Sequence, residues 1–249
     1  ISVITREDLD TRFYRDLTDA MLEVPGVVVT GGADRRDISL RGMGSQYTLI
    51  LVDGKRQSSR ETRTNSDGPG VEGAWTPPLA AIDRIEIVRG PMSSLYGSDA
   101  IAGVINIITK KDFDGIQLDL NASSTDKGDG ETGELSALYG VSTNSGNYTV
   151  GATYAERKGV IQSERDWTEP GSSSFIPTGS LGGKVQNADG EWVARSSGYD
   201  FTKDSWYQTP SKRYSLFANA TQELDNDLVL SADALYTKRK SDQQLAPQP

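Results

Sequence analysis

From residue 116 onward, apolar and polar residues alternate along several long segments of the chain. In the first segment, apolar Ile116 and Leu118 alternate with polar Gln117 and Asp119. A period of two is that of a β-strand whose two faces meet different surroundings. The segments that share this period are 116–123, 135–142, 148–155, 214–221 and 228–237. The pattern predicts five long antiparallel strands, with apolar lapses on the polar side such as Leu138 and Phe217.

The connections between these predicted strands differ greatly in length. Residues 143–146 and 225–227 are short polar turns, whereas one long connection spans about 157–212. Short turns at one end and long loops at the other are typical of outer-membrane β-barrels, whose strands carry aromatic bands near both ends. The tyrosines near the strand ends are Tyr139, Tyr148, Tyr154, Tyr214 and Tyr236. A soluble β-sandwich also alternates, but so long a connection between neighbouring strands fits it poorly.

The first part of the chain has a different pattern, with short apolar runs between polar links. Residues 84–88 and 101–109 are rich in β-branched side chains, which favour strands, and a link at 90–98 joins them. The second run is apolar at nearly every position, as expected for a strand covered on both faces. Because the alternating pattern begins soon afterwards, we divide the chain into domains at 1–111 and 112–249.

Helix and turn signals complete the prediction for the first domain. Thr5 is a favourable N-cap for a short helix, and Leu17, Met21 and Val24 share one face of a second helix over 16–24. Short strands are predicted at 1–4, 27–29, 37–41 and 47–52, with a hairpin turn at Asp53-Gly54. The first domain is therefore expected to have an α+β fold.

A long polar loop follows the hairpin turn, from Lys55 to Pro78. Loops of more than about 12 residues inside a compact domain are usually functional or disordered. This loop concentrates arginines in an otherwise acidic chain, and guanidinium groups suit ligands with delocalised negative charge. The candidate ligand-binding residues are Arg56, Arg60, Arg63 and Trp75. A solvated loop without a specific partner explains the same residues about equally well, so the residues alone leave both interpretations open.

Composition narrows the range of functions. The net charge of −9 argues against a nucleic-acid-binding protein. The chain has no cysteine and no histidine, which removes the commonest metal ligands and the commonest general base, so we expect neither a metal site nor an enzyme. No apolar run reaches the roughly 18 residues of a membrane-spanning helix, although barrel strands need only about ten. The chain begins at Ile1, so we expect a processed or trimmed segment.

Three motifs in the first domain follow one another in the order of a known family. They are Leu40-Arg41-Gly42-Met43-Gly44, Tyr47-Thr48-Leu49-Ile50-Leu51-Val52-Asp53-Gly54-Lys55-Arg56 and residues 82–111, IDRIEIVRGPMSSLYGSDAIAGVINIITKK. They resemble the plug domain of TonB-dependent outer-membrane receptors, in the branch of catecholate-siderophore and colicin I receptors. The resemblance implies an α+β plug followed by antiparallel transmembrane β-barrel strands. A barrel around such a plug needs about 22 strands, so we expect an incomplete barrel and a fragment of a larger protein.

The resemblance also implies a function. Such receptors lie in the outer membrane of Gram-negative bacteria, contact its lipid, and take up ferric siderophores with energy from the TonB complex. The TonB-binding box of the family lies upstream of the part that matches residues 1–5, so we expect this chain to lack it. Colicins or phage are further partners in such families. The cargo would carry its own iron ligands. Cobalamin is the alternative cargo and haem a weaker one, and a passive channel or an adhesin is the alternative class.

Two arginines receive a different role from the resemblance. Arg41 and Arg89 each follow an apolar run and precede a glycine, and a charged side chain at the end of a buried strand needs a partner. In the resembled family, the matching arginines pair with glutamates on the inner barrel wall and lock the plug in place. Glu86 lies two positions from Arg84 on the same predicted strand, so we expect that pair to be structural.

Overall fold

The structure is a computed structural model that describes residues 1–12, 14, 17–30, 37–56, 76–171, 180–187, 189–195, 198–224 and 228–242. Contacts divide the chain into two units. The first unit comprises Ile1–Ala122, Gly133–Ala155 and Lys212–Arg239, and the second comprises Ser123–Thr132, Glu156–Ser211 and Lys240–Pro249. In the part of the chain that the structure describes, no helix is long and apolar enough to cross a membrane.

The first unit begins with short strands and helices, as an α+β domain requires. In chain order they are β1 (Ser2–Ile4), α1 (Arg6–Thr11), α2 (Leu17–Leu22), β2 (Val27–Thr30), β3 (Asp37–Leu40), β4 (Thr48–Val52), β5 (Lys55–Arg56), β6 (Ile82–Arg89), α3 (Ser93–Tyr96) and β7 (Gly103–Thr109). Single 3-10 turns lie at Ser45–Tyr47, Leu79–Ala81 and Ser98–Ala100. The predicted strands and both predicted helices are present, although the second helix is shorter than 16–24, and α3 lies within the link at 90–98, where no helix was predicted.

Five of these strands form one mixed sheet, called the first sheet below. Its order is β1-β6-β7-β4-β5, in which β4 and β7 are parallel and the other neighbours are antiparallel. Strands β2 and β3 form a separate antiparallel ribbon. The β7 strand is covered on both faces as predicted, because Ile105 and Ile107 join the main core while Val104 packs with Leu49 and Ala100 in a second cluster.

Local capping explains where the first helix begins. The N–H of Asp8 donates to the Thr5 hydroxyl at 3.2 Å, and the N–H of Thr5 donates to the Asp8 carboxylate at 2.9 Å. This reciprocal capping box satisfies two backbone donors that the first turn of a helix leaves unpaired. Thr5 is thus the predicted N-cap. Leu17 and Met21 of α2 are buried in the main core.

A second sheet of long strands completes the first unit. Its strands are β8 (Gly115–Ser123), β9 (Thr132–Ser142), β10 (Gly146–Arg157), β16 (Ser211–Leu224) and β17 (Leu228–Ser241). They lie in the order β8-β9-β10-β16-β17, so neighbours in the sheet follow one another along the chain apart from one long excursion. All five predicted strands are confirmed. The predicted turn at 225–227 lies outside the described residues.

In β8, β9, β10 and β16 the two faces of the second sheet differ as the alternation predicts, with apolar residues exposed, whereas the edge strand β17 is exposed along nearly its whole length. Leu118 and Leu120 are 71% and 78% exposed, whereas Ser136, Thr149 and Ser215 are buried. Two of the apolar lapses have a structural reason. Leu138 and Phe217 lie on the buried face and pack against Ala81, next to Phe113, at the contact with the first domain.

The second unit contains the long connection, which is not without secondary structure. Its strands are β11 (Val160–Ile161), β12 (Ser180–Leu181), β13 (Lys184–Gln186), β14 (Trp192–Ala194) and β15 (Trp206–Gln208). Strand β11 pairs with β15, and β12 to β14 form a small antiparallel sheet. The alternating pattern did not predict these strands, because two or three residues are too few to show a period.

Candidate functional site

The predicted ligand-binding loop is described only at its first residues. Arg60, Arg63 and Trp75 lie outside the described residues, whereas Arg56 lies on β5. Arg56 donates to the Asp99 carboxylate and, at 2.7 Å, to the carbonyl oxygen of Tyr96. Its guanidinium is therefore held against the turn that follows α3, where it remains about half exposed. Ligand binding by these four residues stays a prediction.

The two predicted locking arginines meet at one turn. Arg89 donates to the carbonyl oxygen of Pro25 and, at 2.8 Å, to the Ser2 hydroxyl. The backbone N–H of Arg41 donates to the carbonyl oxygen of Gly26 at 2.9 Å, and Arg41 has a positive φ of 57°. Both arginines thus contact the Pro25-Gly26 turn after α2. Their pairing with barrel glutamates stays a prediction.

The hairpin turn at Asp53-Gly54 is confirmed, and its side chain ties it to the first sheet. Both residues have positive φ, 49° and 74°, as a two-residue turn between antiparallel strands requires. The Asp53 carboxylate accepts from the Thr109 N–H at 3.0 Å and from the Thr109 hydroxyl at 2.6 Å. The Gly54 N–H donates to the Asn106 side chain at 3.0 Å. The hairpin is therefore fixed to β7.

Lys55, the residue after the Asp53-Gly54 turn, joins the first sheet to the second through its side chain. The Lys55 ammonium donates to the Asp233 carboxylate of β17, and the other carboxylate oxygen accepts from the Asn219 amide of β16 at 2.5 Å. The Asp233 interaction raises the pKa of Lys55. Sequence reasoning missed this contact because 178 positions separate the two residues. The available signal was Asp233 itself, a carboxylate on the polar side of a predicted barrel strand.

A cleft of about 650 Å³ lies beside the hairpin. The residues that line it come from the hairpin, from the ends of β6 and β7, and from the segment Lys110–Asp114, called the linker below. Lys110 lies half-buried there, donates to Gln117 at 2.7 Å, and lies 5.5 Å from the centre of the Phe113 ring. Burial and the nearby Arg6 lower the pKa of Lys110.

The chemistry of the described side chains is that of binding and holding. An ion pair and two hydrogen bonds to amide side chains link the hairpin and the linker to the strands of the second sheet. Lys110 reaches Gln117 of β8, and the Asn147 amide of β10 donates to the Asp112 carboxylate at 3.0 Å. Within the described residues, no group of three or more metal-ligating side chains comes together.

Comparison with known proteins agrees with this architecture. Residues 1–104 match the family described as "TonB-dependent Receptor Plug Domain". An iron-regulated outer membrane virulence protein of Vibrio cholerae is 75% identical over 112 residues, which cover 45% of this chain and 17% of that protein. The ferric enterobactin receptor PirA of Pseudomonas aeruginosa is 43% identical over 126 residues, covering 46% and 17%.

Solved structures extend the similarity to the rest of the chain. A mutant of the ferric enterobactin receptor PfeA of Pseudomonas aeruginosa, in complex with enterobactin, aligns with a TM-score of 0.69 at 25% identity. The alignment covers 96% of this chain and 33% of that one. The chain thus spans less than a fifth of the length of the curated relatives and a third of the solved receptor.

Residues 1–104 therefore match the plug domain of TonB-dependent receptors, and the resemblance stated from the three motifs is confirmed. The fold of the chain, a plug followed by antiparallel strands of a barrel, is that of TonB-dependent siderophore receptors.

Proposed function

We propose that the protein is an outer-membrane, TonB-energised receptor that takes up ferric siderophores, with the plug gating the barrel. One observation carries this proposal: a plug domain joined without a break to strands that align, over 96% of the chain, with a ferric enterobactin receptor in complex with enterobactin. The relatives are named as iron-regulated outer-membrane proteins and enterobactin receptors. A plug that fills a barrel blocks passive flow, so passage of a large cargo requires the plug to move.

The physical character of the second sheet supports a place in a membrane. Its exposed face carries leucines, and tyrosines lie towards the strand ends. Tyr154 near the end of β10 meets Tyr214 near the start of β16, with ring centres 5.0 Å apart. An apolar band flanked by aromatic residues is the pattern of an outer-membrane barrel.

We propose that the plug extends to about residue 111 and that the barrel strands follow from 112.

The cargo proposed is a ferric chelate of the catecholate type. Such a chelate is anionic and aromatic, and it supplies every ligand of its iron, so the receptor needs only cations and aromatic surfaces. We propose that Arg60, Arg63 and Trp75 supply them, with Arg56 held at the base of the loop by Asp99. Arg41 and Arg89, which contact the same turn of the plug, are proposed to lock the plug to the barrel.

Binding to the purified full-length receptor tests the function. Titration with ferric enterobactin, with cobalamin as the competing cargo, should give tight binding of the ferric catecholate alone. Transport is tested in a strain that lacks its own enterobactin receptor and expresses this protein. Its growth on ferric enterobactin as the iron source is measured with and without a functional TonB complex. Binding of cobalamin in place of the catecholate, or uptake that persists without TonB, would contradict the proposal.

The ligand-binding loop has its own test. Replacing both Arg60 and Arg63 with Ala removes two guanidinium groups, and each charge-assisted contact to an anionic ligand contributes about 1.5–3 kcal/mol. We expect at least a tenfold rise in the Kd for ferric enterobactin, measured by quenching of intrinsic fluorescence. Lys203→Ala, which removes an exposed cation from the long connection, is the control. An unchanged Kd in the double variant would show that the loop does not hold the cargo.

A further inference from the structure

One ion pair connects the first sheet to the second through side chains alone. The Lys55 ammonium contacts one oxygen of the Asp233 carboxylate, and the Asn219 amide donates to the other oxygen at 2.5 Å. Asn219 is buried on β16, so it fixes the carboxylate from below and points it towards Lys55. The three residues thus form a donor, an acceptor and a positioning group on three different strands.

The Lys55 side of this contact is rigidly joined to the plug. Lys55 directly follows the Asp53-Gly54 turn, and Asp53 holds Thr109 of β7 by two hydrogen bonds of 3.0 and 2.6 Å. The Asp53 N–H also donates to the carbonyl oxygen of Ile107 at 2.9 Å. Because the hairpin is fixed to β7 at these points, a force that separates the plug from β17 loads the Lys55–Asp233 pair before it deforms the hairpin.

The pair is placed to break and re-form. The Lys55 side chain is 67% exposed and the Asp233 side chain 24% exposed, so water can solvate both charges once they separate. Exposed ion pairs contribute little to stability individually, whereas a buried pair is costly to open. The linker, in contrast, joins the plug to β8 covalently and stays attached in any movement. Lys55–Asp233 lies far from that covalent join in sequence and involves the opposite edge strand of the second sheet, although Lys111 of the linker lies near both Asp53 and Asp233.

We propose that Lys55, Asp233 and Asn219 form a latch that holds the plug sheet against β16 and β17 and opens when the plug moves. The proposal rests on the proposed function, in which plug movement passes the cargo. It adds a specific plug–barrel contact, distinct from the two arginines at the Pro25-Gly26 turn. The latch assigns Lys55 to holding the plug, although the loop that it begins was predicted for ligand binding.

Hydrogen exchange in the intact, purified receptor tests the latch without any cargo. In Lys55→Met and in Asp233→Asn, amides of the hairpin region 48–56 should exchange about fivefold faster, because local opening no longer has to break the pair. The double variant should exchange no faster than either single variant, since both remove the same interaction. Lys158→Met, which removes an exposed lysine 3.6 Å from Glu131 in the second unit, should leave this region unchanged. Single variants with the unaltered exchange rate, or effects that multiply in the double variant, would overturn the latch.

A reversible cross-link tests whether the latch must open. The chain contains no cysteine, so Lys55→Cys together with Asp233→Cys creates one defined pair within it. A thiol-reactive cross-linker with an internal disulfide bridges that pair in the intact receptor. The bridge should leave the Kd for ferric enterobactin within about twofold and abolish uptake. Reduction of the cross-linker should restore uptake. Uptake at the normal rate through a bridged receptor would overturn the latch. Failure of the unaltered receptor to bind or import the ferric catecholate would instead reject the proposed function, and the exchange result would stand independently.

Discussion

At the scale of single residues, the Asp53 side chain fastens the turn of the hairpin to β7, in addition to the pairing of β4 with β7. Asp53→Ala removes the acceptor of two hydrogen bonds from Thr109, and alanine adopts a φ of 49° less readily than aspartate. We expect a loss of about 2–4 kcal/mol in the free energy of local opening, measured by hydrogen exchange over β4, β5 and β7.

Two milder variants separate the causes. Thr109→Val removes only the hydroxyl bond, so we expect a loss of about 1 kcal/mol. Asp53→Asn keeps an acceptor and tolerates positive φ, and its loss should lie between the other two. If Asp53→Ala exchanged at the unaltered rate, the hairpin would be held by its backbone bonds alone.

Another single residue, Asp129, makes the stability of the second unit depend on pH. Arg165 donates to both oxygens of Asp129 at 2.6 and 2.9 Å, and with the Thr125 hydroxyl it lowers the pKa of Asp129 to about 2. Because the unfolded carboxyl titrates near pH 3.9, the pairing stabilises the fold fully above about pH 4, and this contribution is lost as the pH falls towards 2.

The emission of Trp167 reports this titration, because the Arg165 guanidinium lies 6.0 Å from its ring. The emission of Trp167 is obtained by subtracting the spectrum of the Trp167→Phe variant from that of the unaltered protein. This emission should change with pH, with a midpoint between about pH 2 and pH 3. Asp129→Asn should abolish that transition. A midpoint at or above pH 4 would mean that Arg165 does not stabilise the ionised carboxylate.

At the scale of elements, the close approach of strand β9 to the linker depends on a glycine. A Cβ on Gly140 would lie 2.1 Å from the carbonyl oxygen of Phe113, whereas a Cβ on Gly133 in the same strand would find its nearest atom at 3.9 Å. We expect Gly140→Ala to destabilise the protein by about 1–3 kcal/mol because the linker backbone has to shift, and Gly133→Ala to be nearly neutral. Thermal unfolding of the two purified variants makes the comparison, and equal transition temperatures would show that the linker yields without cost.

The elements also show how far the sequence predicts this molecule. Long strands with a period of two, the Thr5 cap and the Asp53-Gly54 turn all have local signals, and the structure confirms them. Leu138 and Phe217 break the period because they face Ala81, a contact that no local pattern shows. The short strands β11 to β15 lack enough residues for a period.

The candidate site was predictable only in part, for a related reason. Arginines in a polar loop are visible as composition, and the three motifs identify the plug. The Lys55–Asp233 pair depends on how two distant strands meet, and that geometry has no signature in either segment. Arg89 illustrates the same limit, because its partners within the described residues are a hydroxyl and a backbone carbonyl instead of a carboxylate.

At the scale of the whole molecule, the two faces of the second sheet suit different surroundings, one polar and one apolar. Its buried face carries hydroxyl and amide side chains, such as Ser136 and Thr153, whose hydroxyls lie 3.0 Å apart. Its exposed face carries leucines, which are costly in water and favourable in hydrocarbon. This inversion relative to a soluble sheet is the strongest physical reason for the proposed membrane location, and it makes the location testable one residue at a time.

Leu216 gives the sharpest test, because it is 56% exposed near the middle of β16, between the buried residues Ser215 and Phe217. In hydrocarbon, a lysine there costs about 2–4 kcal/mol, whereas a lysine near an interface costs only about 0–1 kcal/mol. Leu224, at the end of the same strand and also exposed, is the matched position. In outer-membrane fractions of cells that express the full-length protein, we therefore expect Leu216→Lys to reduce the amount of heat-modifiable, folded protein far more than Leu224→Lys does. On a sheet that faced water, both lysines would be tolerated equally, so equal amounts of the two folded variants would reject a lipid-facing β16.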